Sequence, residues 1–190
     1  MKPRVGISRC LLGDDVRYDG TNKRSSAVLA LGAEVEWVPV CPEVEVGMGV
    51  PREPIQLLAH ADGVESANER VVLRGVHSGS DWTARMETWA RDRVALLAGE
   101  HISGFVLKAR SPSCGPGGVL VHHSEGEATP TGRGLFAETL AAAIPGLPMI
   151  DEEALEDAQA RASFIQRVLE FDRHRPAGSM RPAGSARTST

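Results

Sequence analysis

The sequence predicts an α/β fold, a Rossmann-like open and mainly parallel sheet with helices on both faces. Three features predict it: short apolar runs that recur along the chain, helical patterns between them, and turn residues at the joins. Apolar strands separated by helices are buried on both faces and joined by right-handed crossovers.

The elements follow in order. Arg4-Val5-Gly6-Ile7-Ser8 reads as the first strand, and Gly13, Asp14, Asp15, Asp19 and Gly20 as a turn-rich loop after it. Asn22 can cap a helix over 23–31 that Gly32 stops. Residues 35–40 form a second strand. Residues 46–80 are long for a loop and contain Pro51 and Pro54, with one possible hairpin near 64–74. Asp81 can cap a helix over 83–98, in which Met86, Trp89 or Ala90, Arg93 or Val94, and Leu97 keep near a helical period and Gly99 ends the run. A strand at 104–108, a helix at 134–143 and a strand at 147–150 come next. The last helix is expected to begin at Asp151-Glu152-Glu153, acids suited to a helix N-terminus, and to carry Leu155, Phe164, Val168 and Phe171. The expected single domain spans 1–171. Residues 172–190 repeat Arg-Pro-Ala-Gly-Ser and read as a disordered tail, because such a composition cannot bury a core.

Composition narrows the function. The chain has 190 residues, 42% hydrophobic and 24% charged, an ordinary globular mixture. Its net charge of -4 supplies no basic field for nucleic acid. No run approaches the ~18 apolar residues of a membrane span, and Met-Lys-Pro-Arg leads into a strand rather than a signal peptide. Three cysteines are too few, and odd in number, for a disulfide scaffold. A reduced, cytoplasmic location is expected. The composition sets no oligomeric state.

The cysteines are the informative residues. Cys10 follows the first strand, Cys41 follows the second directly, and Cys114 follows the 104–108 strand after a short loop. Ligands of open α/β sheets bind beyond the carboxyl ends of the strands, so three loops can deliver three thiols to one place. Inert buried cysteines are the ordinary alternative. That alternative must explain why all three lie where ligands collect. Three thiolates do not by themselves name a metal, since zinc and iron–sulfur clusters both accept them. The chain has no Cys-x-x-Cys pair, which argues against a ferredoxin, a zinc ribbon or a thioredoxin.

Five segments carry a resemblance: Ile7-Ser8-Arg9-Cys10-Leu11-Leu12-Gly13, Val16-Arg17-Tyr18-Asp19-Gly20, Cys41-Pro42-Glu43-Val44, Pro51-Arg52-Glu53-Pro54 and Lys108-Ala109-Arg110-Ser111-Pro112-Ser113-Cys114-Gly115. In this order they resemble the 2-thiouracil desulfidase family, over about residues 1–171. The resemblance implies a 4Fe-4S cluster on Cys10, Cys41 and Cys114 with the fourth iron free. It also implies a catalytic acid/base at Glu43 and a catalytic serine from Ser-Pro-Ser-Cys, Ser111 first. The implied reaction removes sulfur from a thiolated pyrimidine such as 2-thiouracil, giving the oxo base and sulfide. Arg9, Leu11-Leu12 and Met48 depart from the pattern and bear on pocket shape more than on chemistry.

The residues themselves fit such a role. Glu43 lies two positions from Cys41, where a carboxylate can exchange a proton with water and return one to the ring; Glu45 is its competitor. Ser111 and Ser113 flank Pro112, and Ser113 reads first as a turn serine bonding its own backbone, with substrate binding as its functional role. Arg52, between two prolines, is a candidate for touching substrate or covering the cluster, and Tyr18 for stacking on a base, with packing against the sheet as its commoner alternative. The expected partner is a small thiolated base. The rival readings are a non-catalytic iron–sulfur or zinc redox sensor, and a desulfidase of another thiolated compound or RNA.

Overall fold

A computed structural model of the protein describes residues 2–60, 70–123 and 126–174. Its strands are β1 (Arg4–Ser8), β2 (Glu36–Val40), β3 (Ile55–His60), β4 (Arg70–Gly75), β5 (Ile102–Leu107), β6 (Val119–His122), β7 (Ala128–Gly132) and β8 (Met149–Asp151). Its helices are α1 (Ser26–Leu31), α2 (Pro42–Glu45), α3 (Thr83–Gly99), α4 (Leu135–Ala143) and α5 (Ala158–Arg173). The fold is α/β, as the apolar runs predict. Strands β2-β1-β5-β8 make one parallel sheet, and β4-β3-β6-β7 make a second, mixed one.

The parallel sheet is covered on both faces because its strands alternate two sets of apolar side chains. Val5, Ile7 and Val106 pack with Val28 and Leu31 of α1 and Phe164 and Val168 of α5. Phe105 and Leu107 face the other way, against Ala90, Val94 and Leu97 of α3 and Phe136 and Leu140 of α4. The rings of Phe105 and Phe136 meet edge to face at 5.4 Å. This close packing needs Gly6, where a Cβ would lie 2.2 Å from the Phe105 ring.

The second sheet corrects the reading of 46–80 as one long loop with a hairpin near 64–74. The hairpin strands are β3 and β4, paired antiparallel from Ile55↔Gly75 to His60↔Arg70, so the pairing starts nine residues earlier in the chain than the expected strand. Residues 61–69 of that expectation lie outside the described residues. β6 then joins β3 in parallel. Leu57, Leu73, Val119 and Val121 bury one face of this sheet against Met86 and Val46.

Two helix starts also differ from expectation. α1 begins at Ser26 because Lys23 N–H and Ser25 N–H are taken by the carbonyls of Cys10 and Leu11, and Ser25 Oγ is the cap, accepting from Val28 N–H. α5 begins at Ala158, capped by Asp157, whose Oδ1 accepts from Ala160 N–H. Asp151 instead ends β8 and holds a 3-10 turn through Ala154 N–H. At its far end α5 reaches Arg173, and Asp172 accepts a hydrogen bond from buried Ser103 at 2.6 Å, so 172 and 173 belong to the helix. Residues 175–190 of the expected tail lie outside the described residues.

Candidate active site

The site lies beyond the carboxyl ends of β1, β2 and β5, across the point where chain order reverses in the parallel sheet. Cys10 sits in a 3-10 turn formed directly after β1, and Cys41 is the N-cap of α2, where Pro42 occupies the first helical position. Cys114 sits in the loop after β5. That loop is held from below by the start of α4: Gly134, Leu135 and Phe136 N–H donate to the carbonyls of Gly115, Pro112 and Ser113. Gly134 is required there, since a Cβ would lie 2.4 Å from the Ser113 carbonyl.

The three cysteines are free, buried and gathered on one cavity of about 310 Å³. Burial pushes the Cys10 thiol up to about 12, with the neighbouring Cys41 adding to it. Burial also raises Cys41 and Cys114, and at Cys114 the charges of Cys41 and Cys10 push in the same direction. Thiolates here would repel one another and lack water, so three of them need a bound positive charge. Among the described residues, no three His, Cys, Asp or Glu side chains converge to hold a single metal ion. Three thiols spread around a cavity suit a polynuclear group better than one ion.

Glu43 lines the same cavity, and both its carboxylate oxygens are held. Oε2 accepts from Arg52 Nε at 2.9 Å and Nη2 at 2.6 Å, while Oε1 accepts from Ser113 Oγ at 3.0 Å. Glu45, the sequence competitor, is turned elsewhere. Its carboxylate accepts from Cys41 N–H at 2.9 Å and pairs with Arg93 of α3. It braces α2 and does not line the cavity.

The turn role read first for Ser113 falls to Ser111. Ser111 is the turn serine: its Oγ accepts from Ser113 N–H at 3.3 Å and Cys114 N–H at 3.2 Å. It nevertheless lines the cavity, and with both lone pairs engaged its O–H remains as a donor. Ser113 is fully buried, lies behind the cavity wall and meets Glu43. Arg52 lines the cavity too, but its guanidinium is spent on Glu43 and on the carbonyls of Val16 and Gly49. Tyr18 stands at the mouth, 39% exposed, with the Arg17 guanidinium 5.5 Å above its ring.

Sequence reasoning missed two members. Ser8, buried at the end of β1, accepts from Lys108 N–H at 3.0 Å and hydrogen-bonds the Cys114 thiol, which lowers that group against the effect of burial. Its place two residues before Cys10 was the available signal. Glu152, just past β8, pairs with Lys108 Nζ and accepts from Ala109 N–H at 2.7 Å, fixing the start of the Cys114 loop. Its acidic run resembles a helix start, so nothing local pointed to that role.

Three comparisons bear on the chain. The family profile described as 2-thiouracil desulfurase matches residues 5–152. The uncharacterized protein YbbK of Bacillus subtilis (strain 168) is 32% identical over 152 residues, covering 80% of this chain and 97% of that protein. A solved structure described as the 4Fe-4S-dependent thiouracil desulfidase TudS superposes with a TM-score of 0.63 at 31% identity, over 85% of this chain and 99% of that one. With more than half its length matched by the profile, and two relatives above 30% identity along nearly their whole lengths, this chain belongs to the 2-thiouracil desulfurase family.

Proposed function

We propose that this chain is an iron–sulfur desulfidase that removes sulfur from a thiolated pyrimidine such as 2-thiouracil. The carrying observation is that three buried thiols from three strand ends share one cavity with a fixed carboxylate. Cys10, Cys41 and Cys114 would hold a 4Fe-4S cluster, as the relative TudS is described to require. Held by three protein ligands, such a cluster would supply an iron open to substrate, a soft Lewis acid for thiocarbonyl sulfur.

The balance is a hydrolysis: the thiocarbonyl and water give the oxo base and hydrogen sulfide. Glu43 takes a proton from the attacking water and returns one to the ring or the leaving sulfur. Ser111, limited to donation by its two accepted N–H groups, gives its O–H to a heteroatom of the base. Tyr18 offers a half-exposed ring at the mouth on which a pyrimidine can stack. Reduced thiols and such a cluster call for a reducing compartment, so we infer a cytoplasmic enzyme. No helix among the described residues is long and apolar enough to cross a membrane.

The test is iron and acid-labile sulfide per chain after anaerobic reconstitution, followed by sulfide release from free thiouracil, its nucleoside and thiolated RNA. About four of each atom per chain, falling in Cys41→Ala, is expected. Glu43→Ala should keep its iron and lose at least about a hundredfold in turnover. Iron no higher than in Cys41→Ala would overturn the cluster. Iron without sulfide release from any substrate would turn the reading into a redox sensor.

A further inference from the structure

We infer that Arg52 is a positioning residue, which aims Glu43 into the cavity and ties that aim to the segment around Tyr18. The inference rests on the reading of Glu43 as the proton carrier, and it replaces the expectation that Arg52 touches substrate. Arg52 lies between Pro51 and Pro54, whose rings fix φ on either side of it. Its side chain is 6% exposed and that of Glu43 is 15% exposed, so neither group has much water to replace the other.

Nε and Nη2 both donate to Glu43 Oε2. The second N–H of Nη2 reaches the Val16 carbonyl at 3.0 Å, and Nη1 reaches the Gly49 carbonyl at 2.8 Å. Of the five N–H groups of a guanidinium, one is then left over, too few for a substrate grip. The Val16 carbonyl is also the group that the Cys41 thiol faces at 3.9 Å. Arg52 N–H donates to the Tyr18 carbonyl at 2.8 Å.

The chain 16–18 is therefore clamped to Arg52 at both ends, by Val16 and by Tyr18. Through the same side chain it is coupled to the carboxylate of Glu43. Ser113 holds the opposite oxygen, so the carboxylate is pinned at two points and the one remaining lone pair, on Oε1, keeps one direction. A base stacked on Tyr18 would press on the strap that sets where Glu43 points. Binding and proton transfer share one mechanical element.

Arg52→Lys tests this, because an ammonium keeps the charge and loses the fork that reaches Glu43, Val16 and Gly49 together. Iron and sulfide per chain should match the wild type. The kcat for sulfide release should fall about ten- to a hundredfold while KM moves less than about threefold, the pattern of a displaced catalytic group. Adding methylguanidinium to Arg52→Ala should restore part of kcat at unchanged iron content. A crystal structure of Arg52→Lys should show the Glu43 carboxylate turned off its present direction. A rise in KM with kcat held would return Arg52 to substrate contact, and loss of iron would make it part of the thiol scaffold. Either result overturns the inference. A wild type that binds iron and releases no sulfide would instead bring down the functional reading, and the two failures are distinct.

Discussion

The two sheets solve different problems. In the parallel sheet each strand is pressed from both sides, and Phe105 of β5 reaches across β1 only because Gly6 has no side chain. In the mixed sheet one face is buried on Met86 and Val46, while Leu120 of β6 is 48% exposed on the other. The parallel sheet carries all three cysteines at its strand ends. The mixed sheet carries none, yet the residues leading into β3 bring Arg52 to Glu43 and place Pro54 and Ile55 on the cavity wall. Donors come from the rigid sheet, and the group that aims the carboxylate comes from the other.

The comparison can be broken first at Gly6. Gly6→Ala forces a Cβ to within 2.2 Å of the Phe105 ring between two packed faces, and should cost about 3 kcal/mol, at the upper end for overpacking. An unfolding free energy, from denaturant titration, lowered by less than about 1 kcal/mol would mean that this sheet yields as readily as an open one. A smaller effect is expected at the joint between the sheets. There Leu73 N–H of β4 donates to Thr83 Oγ1 at the start of α3, at 2.8 Å and out of water. Thr83→Val keeps the shape and strands that N–H, for about 1–2 kcal/mol by the same measurement. The smallest effect belongs to Asp81, which accepts from Thr83 N–H at 2.9 Å. The Thr83 hydroxyl and N–H hold its carboxyl below the usual range. A depressed carboxyl stabilises above its unfolded value and loses that contribution as pH falls through the folded one. Wild type should therefore lose its advantage over Asp81→Asn between about pH 4 and the lower native value, and an unchanged difference on acidification would sink the assignment.

The parallel sheet was legible because burial on both faces leaves uninterrupted apolar runs, as in Val5 to Ile7 and Phe105 to Leu107. The mixed sheet was not. β7 is Ala128-Thr129-Pro130-Thr131-Gly132, an exposed edge strand with a proline, which carries no apolar signal at all. The thiols were legible by their distance from strand ends. The contact of Ser113 with Glu43 joins residues from separate connections, and the pairing of Lys108 with Glu152 crosses from β5 to β8; local patterns hold no trace of either. Arg52 was singled out for its setting between prolines, and only the geometry reveals which group it serves.

The scattering of the cysteines over separate strand-to-helix connections has a consequence for how the protein is made. A pair of donors a few residues apart can capture an ion on a chain with no tertiary structure. Here Cys10 and Cys114 are separated by more than half the chain, and the loop bearing Cys114 is seated by N–H groups of α4, which is synthesised later still. During translation the first two thiols emerge without a pocket and must stay reduced and unclaimed. All three thiols can grip one group only once the Cys114 loop is seated on the start of α4, so completing the site is coupled to folding of the whole domain and not to the first stretch of chain.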